Sequence, residues 1–154
     1  MIVVRECRDE ELECAKRVSS EAFEALRQVY RPSPQAVGAN REIESALKGL
    51  VALDGTEVAG TVQYWILEDR LHLVGLAVRP CRQREGIALD LLKRLRELAG
   101  ENGLVRLSLC TVEQTENVPV FQRLGLVVTE RKPAEGTISV SGEALTDVYM
   151  ERTV

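Results

Sequence analysis

The sequence predicts one layered domain of the α+β or mixed α/β class, and three observations carry that reading. The chain has 154 residues, a single-domain length with room for a real core. Helical and strand periodicities alternate along it in the order β α α β β β α β α β β. One stretch, residues 71–100 (LHLVGLAVRPCRQREGIALDLLKRLRELAG), joins an apolar strand to a strongly amphipathic helix through a tight arginine-rich turn.

The elements follow in order. Residues 2–5 (IVVR) read as a strand. Asp9 is placed to cap a helix over 10–29, whose first turn is acidic and whose apolar face is Leu12, Ala15, Val18, Ala22, Phe23 and Leu26. Residues 31–40 (RPSPQAVGAN) are rich in breakers and predict a loop. A short helix is expected over 41–48, stopped by Gly49. Residues 50–53 (LVAL) form a strand, Asp54-Gly55 signals a hairpin, and 58–67 return as the next strand. Residues 71–78 are apolar on both faces and therefore central.

After the turn, Ile87, Ala88, Leu91, Leu92, Leu95, Leu98 and Ala99 share one helix face, and Asn102-Gly103 ends that helix. Residues 104–110 alternate as a strand. A short helix over 117–124 follows, with Gly125 where a left-handed residue is wanted. Residues 126–130 are a strand, 131–143 mostly loop, and 144–152 a closing strand. No linker, repeat or low-complexity tract interrupts the chain.

Composition narrows the function. A net charge of −4 argues against nucleic acid as the main partner. No apolar run approaches the roughly 20 residues that span a bilayer, so no membrane partner is expected. The N-terminus MIVVRECRDEE lacks the basic-then-apolar order of a secretory signal, which predicts a cytoplasmic protein. Cys7, Cys14, Cys81 and Cys110 are scattered, and with a single histidine they make no zinc set; reduced thiols and no metal are expected.

The chemistry concentrates in the turn. A strand, a tight loop and a helix start bring backbone N–H groups together, and a helix N-terminus attracts anions. The loop adds Arg79, Arg82 and Arg84 to a protein that is acidic overall. The N–H groups from about Arg84 to Leu89 have no acceptor in the first helical turn, and Gly86 lets the backbone approach a ligand closely. A phosphate cradle and a plain solvated turn both fit the loop taken alone. No G-K-[S/T] follows, which removes a magnesium-dependent P-loop NTPase.

Gln83-Arg84-Glu85-Gly86-Ile87-Ala88 resembles the Q/R-x-x-G-x-G/A signature of the GCN5-related N-acetyltransferase (GNAT) superfamily. It follows Leu76-Ala77-Val78-Arg79-Pro80, which is similar to that family's strand end. VALDGTEVAGTV resembles its hairpin, and 117–126 (NVPVFQRLGL) its N-x-P-F-Y-E-R-L-G-F segment. Asp147-Val148-Tyr149-Met150 resembles its closing strand. The resemblance covers nearly the whole chain as one domain, 1–154. It implies a mostly antiparallel central sheet flanked by helices and splayed between strands 71–78 and 104–110.

By that resemblance the chain is an enzyme that moves an acetyl group from acetyl-CoA to a primary amine, on a small molecule or a peptide, through a tetrahedral intermediate. Leu76, Ala77 and Val78 pair with the pantetheine like an added strand, and a backbone N–H near Leu76 holds the oxyanion. Gln83, Arg84, Glu85, Gly86, Ile87, Ala88 and Leu89 hold the pyrophosphate, and Asn117 and Phe121 line the cofactor. Asn117 could equally cap its helix. Phe121 stands where many relatives carry a tyrosine that protonates the leaving sulfur; Tyr64 and Tyr149 are alternatives, or the thiolate leaves unprotonated. His72 occupies the strand position of a glutamate base in histone-acetylating relatives, and a buried packing histidine is the competing reading. Glu21, Glu24 and Glu113 are further candidate bases, and Cys110 a weak candidate nucleophile. Two other readings remain: a CoA-binding module without catalysis, motivated by Phe121, and a structural or oligomer-forming domain. A homodimer fits any of the three.

Overall fold

The computed structural model of the chain describes residues 1–34 and 47–154. The strands are β1 (Ile2–Glu6), β2 (Tyr30–Pro32), β3 (Lys48–Asp54), β4 (Glu57–Leu67), β5 (Arg70–Val78), β6 (Arg106–Val112), β7 (Val127–Pro133), β8 (Thr137–Ser139) and β9 (Thr146–Thr153). The helices are α1 (Leu12–Glu24), α2 (Ile87–Glu101) and α3 (Val118–Arg123). Seven strands form one sheet in the order β1-β3-β4-β5-β6-β9-β7, so β5, apolar on both faces, lies fourth. Every pairing in it is antiparallel except β5–β6. The small strands β2 and β8 pair separately.

Strand alternation sends successive side chains to opposite faces. Leu50, Ala52, Leu71, Leu73, Leu107 and Leu109 face α2, whose Ile87, Leu91, Leu92 and Leu95 are fully buried. Each of these large side chains contributes about 1.5–3 kcal/mol of hydrophobic stabilisation. Val51, Leu53, Val58 and Ala77 face the other way and pack on Ala15 and Val18 of α1. Helix α2 comes so close to β4 that a Cβ on Gly60 would lie 2.9 Å from Ile87 Cγ2 and 3.1 Å from the Ala77 carbonyl oxygen.

Several boundaries differ from expectation. The helix over 10–29 is an α-helix only from Leu12 to Glu24, with tighter 3-10 turns at Asp9–Glu11 and Ala25–Gln28. Asp9 does not cap it. Glu11 instead accepts the Arg8 N–H at 2.9 Å and both ends of the Arg5 guanidinium, so the entry is fixed from β1. Leu12, expected on the apolar face, is exposed.

The short helix expected over 41–48 falls for residues 41–46 outside the described residues. Lys48 and Gly49 belong to β3, because β1 continues its ladder there: the Cys7 N–H donates to the Gly49 carbonyl at 3.0 Å. The segment over 31–40 begins with the end of β2, and 131–143 contains the end of β7 and all of β8. The hairpin at Asp54 is as expected, Asp54 pairing with Glu57 across a turn whose Gly55 has φ +61°.

Two devices shape the middle of the sheet. At its lower end, Arg70, Asp69, Arg106 and Glu151 form an ion-pair cluster joining β5, β6 and β9, with Arg106–Glu151 at 3.3 Å and Arg106–Asp69 at 3.6 Å. Above it β5 and β6 pair only at Arg70–Arg106, Leu71–Leu107 and His72–Ser108. Beyond that rung the two strands separate, leaving the V expected between 71–78 and 104–110.

Candidate active site

The V is walled by strand edges that have lost their partners. Among the described residues, β5 pairs from Leu73 to Val78 only with β4, so its other edge carries backbone N–H and C=O groups with no described strand beside them. The β4–β5 ladder also slips here. Thr61 pairs with Ala77 and Gln63 with Val74, so Gly75 and Leu76 together oppose Val62. Gly75 has φ +68°, the left-handed first residue of a glycine bulge. A Cβ there would touch the Phe23 ring at 3.3 Å, so the bulge and α1 are fitted to each other. The bulge re-aims the backbone at Leu76, the residue expected to donate to an oxyanion.

A cavity of about 470 Å³ opens on the α1 side of the V. Its floor is β5 from His72 to Leu76 and β6 from Leu109 to Val112, and its walls include Phe23, Leu26 and Arg27. Tyr30 and Pro32 of β2, with Thr137 of β8 and the preceding Gly136, also line it. Asn117, Phe121 and Asp147 complete it. The structure therefore brings His72, Leu76, Asn117 and Phe121 to one cavity. Asn117 makes no side-chain cap hydrogen bond to α3.

His72 closes the bottom of the V. Its Nδ1 lies 2.8 Å from the Ser108 hydroxyl oxygen, and the Trp65 ring meets it edge-on at 6.4 Å between centroids. Burial, with the Arg70 charge adding to it, pushes the imidazole pKa below the ordinary 6.5, so the ring is neutral at pH 7. The other candidate bases are elsewhere. Glu21, Glu24 and Glu113 do not line the cavity, and Glu113 pairs with Arg131 at 3.1 Å.

Tyr64 is buried in the α2 core and is removed as a proton donor to the cavity. Tyr149 stands opposite Cys110 across the β6–β9 ladder, and burial, with the Cys110 and Asp147 charges adding to it, pushes its phenol pKa up. Cys110 is open to the cavity, yet the dense walls desolvate its sulfur. With the Asp147 charge beside it, the thiol is pushed up to about 11, which leaves it protonated and unsuited to act as a nucleophile. Tyr30 and Asp147 were not among the sequence candidates. Tyr30 falls between the helix expected over 10–29 and the loop expected over 31–40, and Asp147 lies in a closing strand whose pairing had to be known before its facing could be.

The turn before α2 divides its arginines by task. Arg79 Nε donates to the Val58 carbonyl at 2.6 Å. Arg82 meets Asp54 at 2.9 Å, Glu57 at 3.5 Å and Glu85 at 2.9 Å, tying the turn to the β3–β4 hairpin. These two cations hold the loop's shape. Arg84 makes no hydrogen bond or ion pair among the described residues and has φ +66°. Gly86 is the N-cap of α2 with φ +81°, and a Cβ on it would meet nothing within 4 Å. Two left-handed residues one apart curl the chain, and the N–H groups of the first α2 turn are left facing open space. A pyrophosphate fits that concavity, and the unpaired β5 edge fits an amide-bearing arm.

Among the described residues no group of three or more His, Cys, Asp or Glu side chains is placed to hold a metal ion. Among the same residues no helix is long and apolar enough to cross a membrane.

Known proteins share this architecture. The chain is 29% identical over 112 residues to a thialysine N-epsilon-acetyltransferase of Caenorhabditis elegans, covering 68% of this chain and 70% of that one. Its fold superposes on the ribosomal-protein-S18-alanine N-acetyltransferase of Escherichia coli with a TM-score of 0.75 at 17% identity, over 100% of this chain and 94% of the other. A Bacillus subtilis acetyltransferase solved in complex with CoA superposes with a TM-score of 0.73 at 15% identity, over 100% and 99% of the two chains. The family model described as Acetyltransferase (GNAT) family matches residues 7–126. The chain thus belongs to the GNAT family of acetyl-CoA-dependent acetyltransferases.

Proposed function

We propose that the protein transfers an acetyl group from acetyl-CoA to a primary amine by direct attack, through a tetrahedral intermediate, within the V between β5 and β6. The observation that carries this is the V itself: two strands that part above His72–Ser108, an unpaired β5 edge with a bulge at Gly75–Leu76, and a cavity on one side. Acetyl-CoA supplies the thioester carbonyl carbon and a thiolate leaving group. Every other task falls to the chain.

The turn from Gln83 to Leu89 holds the pyrophosphate through N–H groups of the first α2 turn, with Gly86 leaving room and Arg84 adding charge. The free edge at Leu76, Ala77 and Val78 pairs with the pantetheine amides as an added strand would. The Leu76 N–H, redirected by the bulge, stabilises the oxyanion. Asn117 and Phe121 border the same space.

His72 takes the proton from the attacking amine, directly or through water. In the tautomer that serves this, Nδ1–H donates to Ser108 Oγ and Nε2 keeps its lone pair. Phe121 offers no proton to the sulfur, and the thiolate leaves as such, since a thiol of pKa about 8.5 is an adequate leaving group.

Thermal-shift titration with acetyl-CoA and CoA, followed by thiol release across a panel of primary amines, tests the reading. Stabilisation by both ligands and amine-dependent thiol release are expected. Binding without release with any amine favours a CoA-binding module instead, the reading that Phe121 motivates. No stabilisation at millimolar ligand overturns both.

A further inference from the structure

Asp147 stands on the cavity wall with a carboxylate that makes no ion pair among the described residues. It is the second residue of β9, opposite Val112 of β6 and Lys132 of β7. Lys132 is turned elsewhere: its Nζ lies 5.3 Å from the centre of the Tyr149 ring and 3.5 Å from Glu130. Arg131, the next cation along β7, is engaged by Glu113 at 3.1 Å. Arg27 also lines the cavity, but it is exposed and makes no ion pair with Asp147 among the described residues. The Glu135 backbone N–H beside it favours the ionised carboxyl, while the Glu135 side chain adds a second negative charge nearby rather than a positive one.

The rest of its surroundings are poor company for an anion. Cys110 and the phenol of Tyr30 are near, and the cavity is otherwise walled largely by Phe23, Leu26, Leu73, Val112 and Phe121. Taking a carboxylate partly out of water is unfavourable unless a charge or several donors replace the water. Burial duly raises its pKa, and Cys110 and Tyr30 both feel its charge. A half-buried carboxylate on an apolar wall has the makings of a receptor for an alkylammonium: a cation for the oxygens and methylenes for the walls.

We propose that Asp147 is the anchor for a cationic amine acceptor, pairing with an ammonium group while the apolar walls take its alkyl stem. The proposal rests on the transferase reading for its location but not for its test. It names a specificity residue outside the cofactor machinery and a substrate class: alkyl amines that are positively charged at neutral pH, in preference to uncharged aromatic amines. Asp147 lies at the level of Val112, four residues up β6 from Ser108, so the anchor and the proposed base act at opposite ends of the cavity.

The test uses the whole protein and 1,5-diaminopentane, titrated by calorimetry in saturating CoA, which cannot acylate it, and again without CoA. The variants are Asp147→Asn, which keeps the side chain's size and an acceptor oxygen and removes the charge, and Asp147→Glu, which keeps the charge. Wild type should bind the diamine in a salt-sensitive manner. Asp147→Asn should weaken it at least about tenfold, as expected for loss of a charge-assisted contact, and Asp147→Glu by less. The Kd for CoA should be the same in all three. Equal diamine affinity in wild type and Asp147→Asn, or no diamine binding by a wild type that binds CoA, overturns the anchor and leaves the transferase reading standing. Absence of CoA binding overturns the transferase reading, and the titration without CoA still decides the anchor. A fall in kcat at unchanged KM in Asp147→Asn would overturn the anchor too, by making Asp147 a base.

Discussion

His72 Nδ1 and Ser108 Oγ lie 2.8 Å apart on the last rung that joins β5 to β6 before the strands part. The hydroxyl fixes which ring nitrogen is free for the cavity, and Trp65 holds the ring from the side. Ser108→Ala should therefore lower kcat/KM about tenfold while leaving the acetyl-CoA Kd unchanged, because it loosens an orientation worth part of the 10²–10⁴-fold that general bases contribute. Steady-state kinetics and calorimetry on the same preparation check it. A loss of CoA affinity in step with kcat would mean that the pair only supports the fold.

The lowered pKa of His72 sets a pH dependence with a definite sign. A base must be neutral to act, and burial together with Arg70 holds the imidazole neutral below the ordinary 6.5. Activity limited by His72 should thus persist to a lower pH than an unperturbed histidine allows. Because the folded pKa is depressed, the linked stability is intact above 6.5 and is lost as pH falls through the folded value. Urea midpoints measured through that window should fall more steeply for wild type than for His72→Gln; parallel curves would contradict the burial argument.

Gly60 marks the closest approach of α2 to the sheet. A methyl there meets Ile87 Cγ2 at 2.9 Å and the Ala77 carbonyl oxygen at 3.1 Å, neither the loose end of a long side chain. Gly60→Ala should cost about 1–3 kcal/mol, the usual penalty of overpacking. Chemical denaturation gives the number, and a change below about 0.5 kcal/mol would show that α2 can back away freely.

Gly86 and the arginines around it separate shape from charge. A Cβ on Gly86 meets no atom within 4 Å, but Gly86→Ala must hold φ near +81°, so it should lose about 1–2 kcal/mol of stability and most of its CoA affinity. Arg84→Ala should weaken CoA in a way that fades at high salt, since its cation is free. Arg82→Ala should weaken it with little salt dependence, through a loop that has lost its ties to Asp54, Glu57 and Glu85. Identical salt slopes for the two would contradict the division of roles.

Much of this frame was legible in the sequence because it rests on local patterns. An apolar run with helix-period residues behind it placed β5 and α2, and Asp54-Gly55 placed the hairpin. What escaped depends on partners distant in sequence. Three-residue strands such as Tyr30–Pro32 and Thr137–Ser139 carry almost no periodicity and exist because they find each other. Gly49 looked like a helix stop because its role as a β1 partner is set some forty residues away. Gly75 looked like one more small residue in a strand, although an isolated strand glycine is the one hint of a bulge.

The site divides the same way. The strand, turn and helix of 71–100 were readable because they are contiguous. The ties of Arg82 were not readable, because charge is visible in a sequence and its compensation is not: Arg82 is answered by Asp54 and Glu57 from another hairpin. Asp147 was overlooked for the converse reason, since nothing local shows that Lys132 beside it faces Tyr149 and Glu130.

The most direct measurement is product formation: wild type and His72→Gln incubated with acetyl-CoA and 1,5-diaminopentane, with released thiol and N-acetylated amine quantified together over a range of pH. The account predicts one acetylated amine per thiol in wild type, and a rate lower by about 10²–10⁴-fold in His72→Gln with its acid limb gone. Thiol release without acetylated amine, or equal rates and pH profiles in the two proteins, would contradict it.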